Sequence, residues 1–349
     1  MLNAVMIYLW LAILLYLLLG GADFGAGILE LFTRKSNLAR TRKTLYKAIG
    51  PIWEANHMWL IITIVILFVG FPAIYTTMSI SLHIPLSIML LGFIARGTAF
   101  AFRHHDAVAD DMQGIYNRVF VLSSCITPFF LGIIAGSAVS RTIDPTAISF
   151  TDAYIFSWLH LFSIAVGLFT VTICGFLAAV YLIGETDNEW DRSRFIAKAK
   201  TTNIAAVICG AMVFVAAYIQ GIPLAGWLFD DWVGVTSIIA ASFSLVLLWV
   251  YIYRGNTSII RVLAGFQVSM ILLSLTYQHF PNIVLLKDGS ALSLLEHHGQ
   301  NKTIETLGIA LLLGSIFILP ALAYLLYSFQ QKPQGGNHAN RANITIDAK

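Results

Sequence analysis

The sequence contains nine long apolar runs, each about long enough to cross a membrane as a helix. A hydrocarbon core of about 30 Å needs about 20 apolar residues in helical conformation to cross it. The runs are Leu2–Phe32, Ile52–Phe71, Thr76–Phe102, Val119–Ser140, Ile155–Ile183, Ile204–Gln220, Val233–Tyr253, Val262–Gln278 and Leu307–Phe329. They predict an all-α polytopic membrane protein with about nine transmembrane helices, numbered here as spans one to nine.

The composition agrees with a membrane protein and excludes several other classes. Hydrophobic residues make up 58% of the chain and charged residues 11%, whereas soluble domains carry about 25% charged residues. So much apolar surface must face lipid or partner subunits, which excludes a soluble, disordered or nucleic-acid-binding domain. We expect a single membrane domain over residues 1–330, arranged as two four-helix bundles plus one peripheral helix. A disordered cytoplasmic tail is expected over residues 331–349.

Basic residues are divided unequally between the two sides of the predicted membrane domain. With nine spans the loops alternate sides, so 17 lysines and arginines fall on one side and three on the other. The three are Arg141, Lys287 and Lys302. Because basic loops remain in the cytoplasm, this asymmetry predicts a cytoplasmic C-terminus and an N-terminus outside.

Three ionisable residues stand out within the predicted spans. Asp23 is late in span one, Glu54 opens span two, and Arg96 is near the end of span three. The predicted orientation places all three at a similar depth, near the cytoplasmic side. Ionisable groups inside a membrane are energetically expensive, and a buried carboxylate without a full partner tends to take up a proton. Together, the three residues indicate a proton route.

Each of these residues also has a structural explanation when it is considered alone. Asp23 could lie at a helix end, Glu54 could cap the positive N-terminus of span two, and Arg96 could reach the headgroups. Glu30 lies so near the end of span one that we expect interfacial water to reach it. Three charges at one depth nevertheless favour the functional interpretation.

Two other functions remain open from the residues alone. His83 and His160 lie on the outer halves of spans three and five, where they could clamp a haem in a membrane cytochrome. A secondary transporter could use Asp23, Glu54 and Arg96 as a coupling site, although these charges lie near one face and not at the midplane.

The chain resembles subunit II of the cytochrome bd-type quinol oxidases in three places. The segment GADFGAG closes span one at residues 21–27, PIWEANHMWL opens span two at residues 51–60, and Arg96 lies near the end of span three. The W-[DE]-x-N-x-x-W pattern in the second segment is the most specific of these signals. Nine spans with an outer N-terminus also fit the family, and the likeness covers most of the chain.

The resemblance implies an enzyme subunit of a bacterial or archaeal cell membrane. Its complex would oxidise quinol and reduce dioxygen to water with protons from the cytoplasm, and so build a proton-motive force. Haems b and d are expected in the partner, subunit I, and none is expected to be ligated by this chain. The resemblance also implies that this chain can hold a quinone in a structural role. Quinol, lipid and a small accessory membrane subunit are further candidate partners, and nucleic acid is not one.

The resemblance also assigns roles to residues, none of them catalytic or metal-binding. Glu54 takes the place of the acid in the family's proton route, and Asp23 and Arg96 match polar positions of the same region. Trp59 matches an aromatic residue near an oxygen entrance, and Trp53 belongs to the same aromatic lining.

Three further positions complete these expectations. Asn56 and His57 are expected to give polar support beside Glu54. At Ala101 the chain departs from the family, because some relatives carry an acid five residues after the arginine. Asp106 or His105 are the candidates to replace that acid.

Overall fold

The structure is a computed structural model that describes residues 1–105, 110–186, 188–254 and 257–330. Within those ranges, nine helices are long and apolar enough to cross a membrane, which confirms the predicted all-α membrane fold. Asp106, the side chain of His105 and the predicted tail over residues 331–349 lie outside the described residues.

The helices follow one another with short connections and a single β-hairpin. In chain order they are α1 (Leu2–Leu15), a π-helical turn (Tyr16–Gly20), α2 (Gly21–Leu31), α3 (Lys35–Ile49), α4 (Trp53–Gly70), α5 (Pro72–Ser81), α6 (His83–His105), α7 (Asp110–Val139), α8 (Phe150–Tyr154), α9 (Leu161–Ile183), α10 (Glu189–Ile219), α11 (Leu224–Phe229), α12 (Trp232–Arg254), α13 (Thr257–His279), β1 (Asn282–Leu285), β2 (Ala291–Ser293) and α14 (Asn301–Gln330). Span one consists of α1, the π-helical turn and α2.

The spans pack as two groups of four with one helix at the edge, as the sequence predicts. Span one packs on α4 and α7, and α6 packs on α7. In the second group α9 contacts α10 and α13, and α12 pairs with α13. Helix α9 also contacts α2 and α7, so it joins the two groups, whereas α14 packs on the edge formed by α1 and α4.

Small residues set the distance between α2 and its neighbours. A Cβ atom on Gly25 would lie 1.9 Å from the backbone oxygen of Cys174 on α9. Two residues later, on another side of the helix, a Cβ atom on Gly27 would lie 2.2 Å from the Ser124 hydroxyl on α7. The glycines of residues 21–27 therefore let α2 lie in close backbone contact with both helices, as small residues do in membrane bundles.

Two predicted span boundaries are wrong because turns interrupt runs that remain apolar. The run that begins at Thr76 belongs to two helices, since the chain turns at Leu82 and α6 begins only at His83. Span five begins at Leu161, where the His160 imidazole accepts the backbone N–H of Ser163 and caps the helix. Span five is therefore an ordinary 23-residue helix.

Polar contacts bind α3 to the charged first turns of α10. Arg40 Nε lies 2.7 Å from an Asp191 carboxyl oxygen, and Arg194 donates to the Thr41 hydroxyl at 3.0 Å. Lys198 Nζ donates to the backbone oxygen of Leu29 at 2.7 Å, at the last turn of α2. We call this end of the bundle, which carries α3 and the start of α10, the basic end.

We expect Gly25→Ala to lower the stability of the protein, because the added methyl group meets the backbone of α9 and one of the two helices must move. Overpacking of this kind costs about 1–3 kcal/mol. Gly114→Ala on α7 is the matched control, since nothing lies within 4 Å of the added atom. Thermal unfolding of the two purified variants checks the prediction, and equal unfolding temperatures would contradict it.

Candidate functional site

Arg96 lies at the centre of a buried charge cluster. Its side chain is 2% exposed, although it carries a guanidinium group in the middle of the bundle. Nε donates to the Ser124 hydroxyl at 3.1 Å, Nη1 to His57 Nε2 at 3.1 Å, and Nη2 to the backbone oxygen of Asp23 at 2.8 Å. Arg96 therefore joins α6 to α7, α4 and α2, and it does not reach out to the headgroups.

The contact with Arg96 determines the protonation state of His57. Because a guanidinium group can only donate, His57 Nε2 accepts this hydrogen bond, and the neutral ring carries its proton on Nδ1. The ring packs against Phe93 and Phe24, with centroids 4.8 Å and 5.3 Å away. The sequence predicts only a supporting role for His57, whereas the structure places it between Asp23 and Arg96.

The Asp23 carboxyl group faces the same centre. Asp23 is 1% exposed, and its Oδ2 atom lies 3.7 Å from His57 Nε2. Asn56 contributes a side-chain hydrogen bond to this carboxyl group. The structure thus brings together four of the predicted residues, Asp23, Asn56, His57 and Arg96. A fixed cation beside a carboxyl group and a neutral imidazole can accommodate the gain or loss of one proton.

Glu54 lies apart from this cluster. It occupies the first turn of α4, and its side chain is exposed on the surface of the chain, whereas Asn56 and His57 turn inward. The carboxylate benefits there from the positive end of the helix dipole. The structure therefore groups two of the three predicted charges and leaves the third on the outer surface of α4.

The two predicted aromatic residues flank the inner face of α4. Trp59 is buried and belongs to an apolar cluster with Tyr16 and Phe24. Trp53 is half-buried, and its ring centroid lies 5.3 Å from that of Phe100 and 6.4 Å from that of His57. An aromatic wall therefore adjoins the polar cluster on the α4 side.

A second buried acid, Glu30, is paired with two arginines. Glu30 is 2% exposed, with one carboxyl oxygen 2.6 Å from Arg42 Nε and the other 3.0 Å from Arg103 Nη2. The expectation that interfacial water reaches Glu30 is wrong, because α3 folds back over the end of α2 and brings Arg42 against it. Sequence reasoning thus misses both Glu30 and Arg103.

One sequence signal could have identified this second pair. Glu30 follows Asp23 by seven residues, and Arg103 follows Arg96 by seven residues. Seven residues are close to two helical turns, so each pair of like residues shares a face about 10 Å apart. Spans one and three run in the same direction. Asp23 is therefore expected at the level of Arg96, and Glu30 at the level of Arg103.

The Phe120 ring lies between Arg96 and Arg103. The Arg96 guanidinium carbon lies 5.2 Å from the centroid of this ring, and the Arg103 guanidinium carbon lies 4.9 Å from it. Cation–π contacts of this geometry contribute about 0.5–2 kcal/mol each, more when water is excluded. Beyond Arg103 a narrow crevice, lined in part by Glu30 and Arg42, lies at the basic end.

His83 and His160 lie outside the cluster and do not fit a haem clamped between two histidines. His83 is exposed, and its Nδ1 atom lies 2.9 Å from the backbone oxygen of Ile80. His160 Nε2 lies 3.2 Å from both the Ser140 and Thr142 hydroxyls, and its other ring nitrogen caps α9. Burial lowers the pKa of the His160 imidazole, which keeps it neutral. Within the described ranges, no group of three or more His, Cys, Asp or Glu residues could hold a metal ion.

Known proteins resemble this chain over most of its length. The family model described as "Cytochrome bd terminal oxidase subunit II" matches residues 1–329. The "Cytochrome bd ubiquinol oxidase subunit 2" of Bacillus subtilis (strain 168) is 31% identical over 173 residues, which are 48% of this chain and 49% of that protein. The "Cytochrome bd-I ubiquinol oxidase subunit 2" of Escherichia coli (strain K12) is 22% identical over 213 residues, which are 59% and 55% of the two chains. In these alignments the chain spans about half the length of the curated relatives it matches.

A solved structure has the same fold. A chain in the structure of bd oxidase from Geobacillus thermodenitrificans aligns with a TM-score of 0.75 and 19% identity. The alignment covers 94% of this chain and 99% of that chain. The arrangement of the spans is therefore common to both.

We expect Glu30→Gln to destabilise the protein strongly, because it leaves the buried Arg103 without an anionic partner. Breaking a buried ion pair in this way costs about 3–5 kcal/mol. The matched control is Glu185→Gln, since the Glu185–Arg261 pair has the same 2.6 Å contact but side chains that are 37% and 28% exposed. For that pair the expected loss is at most about 1 kcal/mol.

Chemical or thermal unfolding of both purified variants measures the two losses. A loss for Glu30→Gln no larger than that for Glu185→Gln would show that the buried pair is unimportant for stability.

Proposed function

Because the chain belongs to the cytochrome bd terminal oxidase subunit II family, we propose that it is the haem-free subunit of a quinol:oxygen oxidoreductase. In this proposal the partner, subunit I, holds haems b and d, whose chemistry is the oxidation of quinol and the reduction of dioxygen. This chain supports proton uptake from the cytoplasm and the access of oxygen. The complex is a multi-pass enzyme of a bacterial respiratory membrane.

The buried cluster of Asp23, His57 and Arg96 is the observation that carries the proton role. Buried ion pairs give little net stability compared with well-packed apolar side chains, so stability alone does not account for such a cluster. Ionisable groups within membrane proteins are typically found along ion and proton pathways. Arg96 supplies a charge that does not change, while the Asp23 carboxyl group can bind and release a proton beside it.

The exposed position of Glu54 supports a role at the contact with the partner. A proton used at a haem in subunit I must leave this chain, and therefore needs an acceptor on its surface. Glu54 provides a carboxylate on the outside of α4, three residues from His57 in the buried cluster. We therefore assign to Glu54 the role of passing protons from the buried cluster to the partner subunit.

Glu30 is assigned to the entrance of the route at the basic end. Ala101, which replaces the acid of some relatives, is exposed on α6. Glu30 reaches the same region from α2 and places a carboxylate beside Arg103, two residues after Ala101. Because two arginines hold it in place, Glu30 is suited to shaping the entrance and not to carrying protons itself.

Trp53 and Trp59 are assigned to the path of oxygen. Dioxygen is apolar and dissolves in the hydrocarbon core, so an apolar wall is the surface along which it can approach a buried site. Both tryptophans line the α4 side of the cluster, and Trp59 packs with Phe24 beside the Arg96 guanidinium. In this proposal helix α4 therefore contributes to both paths, with the tryptophans on its inner face and Glu54 on its outer face.

Replacement of Glu54 tests the proposed proton route. In the assembled oxidase we expect Glu54→Gln to slow oxygen reduction by about 10²-fold, the lower end of the effect of removing a proton-transferring group. Glu54→Asp should retain most of the rate because it keeps the carboxyl group. The matched control is Glu189→Gln, which changes another exposed glutamate in the first turn of a helix at the basic end.

Quinol-driven oxygen consumption measures these rates, and the visible spectrum of the complex reports whether the haems of the partner are retained. Normal turnover in Glu54→Gln with a normal spectrum would contradict the role of Glu54.

A further inference from the structure

Five buried polar atoms beside the Arg96 cluster have no hydrogen-bond partner within the described part of the chain. They are the Tyr16 hydroxyl, Asp23 Oδ2, Asn56 Oδ1, His57 Nδ1 and Trp59 Nε1. Each of these side chains is more than nine-tenths buried. Buried polar groups nearly always have a partner, and one without it costs about 1–3 kcal/mol. A concentration of five such atoms therefore requires an explanation.

The five atoms form a complementary set. The neutral His57 ring and the Trp59 indole offer N–H donors, while the Asp23 and Asn56 oxygens are acceptors. The Tyr16 hydroxyl can both donate and accept. Internal water makes such mixed contacts, usually about three hydrogen bonds to each buried molecule. The set is thus suited to binding water.

Tyr16 lies next to the proton-binding groups. Its ring centroid is 6.0 Å from that of His57 and 6.4 Å from that of Phe24. Tyr16 and Trp59 belong to the same apolar cluster. Along span one, Tyr16 precedes Asp23 by seven residues, as Asp23 precedes Glu30. Tyr16 therefore extends the row of ionisable residues away from the basic end.

The backbone is adapted to this position of the Tyr16 ring. Tyr16 begins the π-helical turn Tyr16–Gly20, and π-helical turns inside helices are frequent at functional sites. Gly20 leaves the space that the ring occupies, because a Cβ atom there would lie 2.7 Å from Tyr16 Cε2. An ordinary α-helical turn with a larger residue would push the phenol away from His57.

We propose that the Tyr16 hydroxyl is a further proton-relaying group, linked through bound water to Asp23 and His57. This inference rests on the proposed function. In this step the protonated Asp23 gives its proton to a bound water molecule, that water passes one of its protons to the Tyr16 oxygen, and the phenol releases its own O–H proton to water on its other side. Asp23 is then a carboxylate, and the second water carries the excess proton onward. The hydroxyl group is unchanged at the end of the step, and no charge remains on it. Phenylalanine has the same ring but cannot carry out this exchange.

Tyr16→Phe in the assembled oxidase tests the relay. We expect quinol-driven oxygen reduction to slow by about tenfold or more. The loss of an acid or base typically slows a reaction by about 10²–10⁴-fold. We expect a smaller effect here because water can carry part of the protons. We also expect the rate to become more sensitive to D₂O, since proton transfer then limits turnover. The matched control is Tyr8→Phe, which removes another hydroxyl from the same span, one that bonds Ser315 at 2.8 Å.

Gly20→Ala provides a second, independent variant. It keeps the Tyr16 hydroxyl but displaces the ring, so we expect the same slower rate and the same larger solvent isotope effect. If this variant does not assemble with the partner subunit, Tyr16→Phe alone decides the question.

Two results would overturn the proposal. The first is unchanged turnover in Tyr16→Phe, and the second is slower turnover with an unchanged solvent isotope effect, which would indicate a purely structural hydroxyl. Asp23→Asn separates this failure from failure of the proposed function. Full turnover in Asp23→Asn would contradict the proton route itself, whereas slow turnover there with normal turnover in Tyr16→Phe would exclude only the relay through Tyr16.

Discussion

Arg96 is buried inside a membrane domain, and the helices around it must pack so that its guanidinium group is satisfied. A guanidinium group at this depth needs hydrogen-bond acceptors for its donors, an anionic group nearby and exclusion from lipid. Arg96 obtains its acceptors from three helices, through Ser124, His57 and the backbone of Asp23. Such contacts are reached only if α2 lies very close to its neighbours, which the glycines of residues 21–27 allow. The close packing of α2 therefore also provides the hydrogen-bond acceptors that Arg96 needs.

The seven-residue repeat shows how a membrane helix can carry a graded series of polar groups. Tyr16, Asp23 and Glu30 follow one another along span one, from a neutral phenol to an acid fixed between two arginines. Glu30, nearest the basic end, is paired with two arginines, whereas the Tyr16 hydroxyl has no hydrogen-bond partner within the described residues. A series of this kind combines a rigid entrance with groups further inside whose protons can move.

Much of the fold follows from the sequence, because the membrane allows few alternatives to long apolar helices. The high energy of an intramembrane charge likewise identifies Asp23 and Arg96. The burial of Glu30 does not follow, since it depends on the fold-back of α3, and the exposure of Glu54 depends on how α4 is rotated about its axis. The turn at Leu82 could not be predicted because the residues around it are apolar. The π-helical turn that positions Tyr16 could not be predicted because it does not change the hydropathy of the span.

A proton route through the buried cluster requires the Asp23 carboxyl group to change its protonation state during turnover. Infrared difference spectroscopy of the assembled oxidase, between its reduced and oxidised states, measures this most directly. We expect a carboxylic-acid C=O band in the wild-type difference spectrum that is absent in Asp23→Asn and retained in Glu189→Gln. Identical difference spectra for the wild-type and Asp23→Asn complexes would show that Asp23 keeps its protonation state, and would leave the cluster as a purely structural hydrogen-bond network.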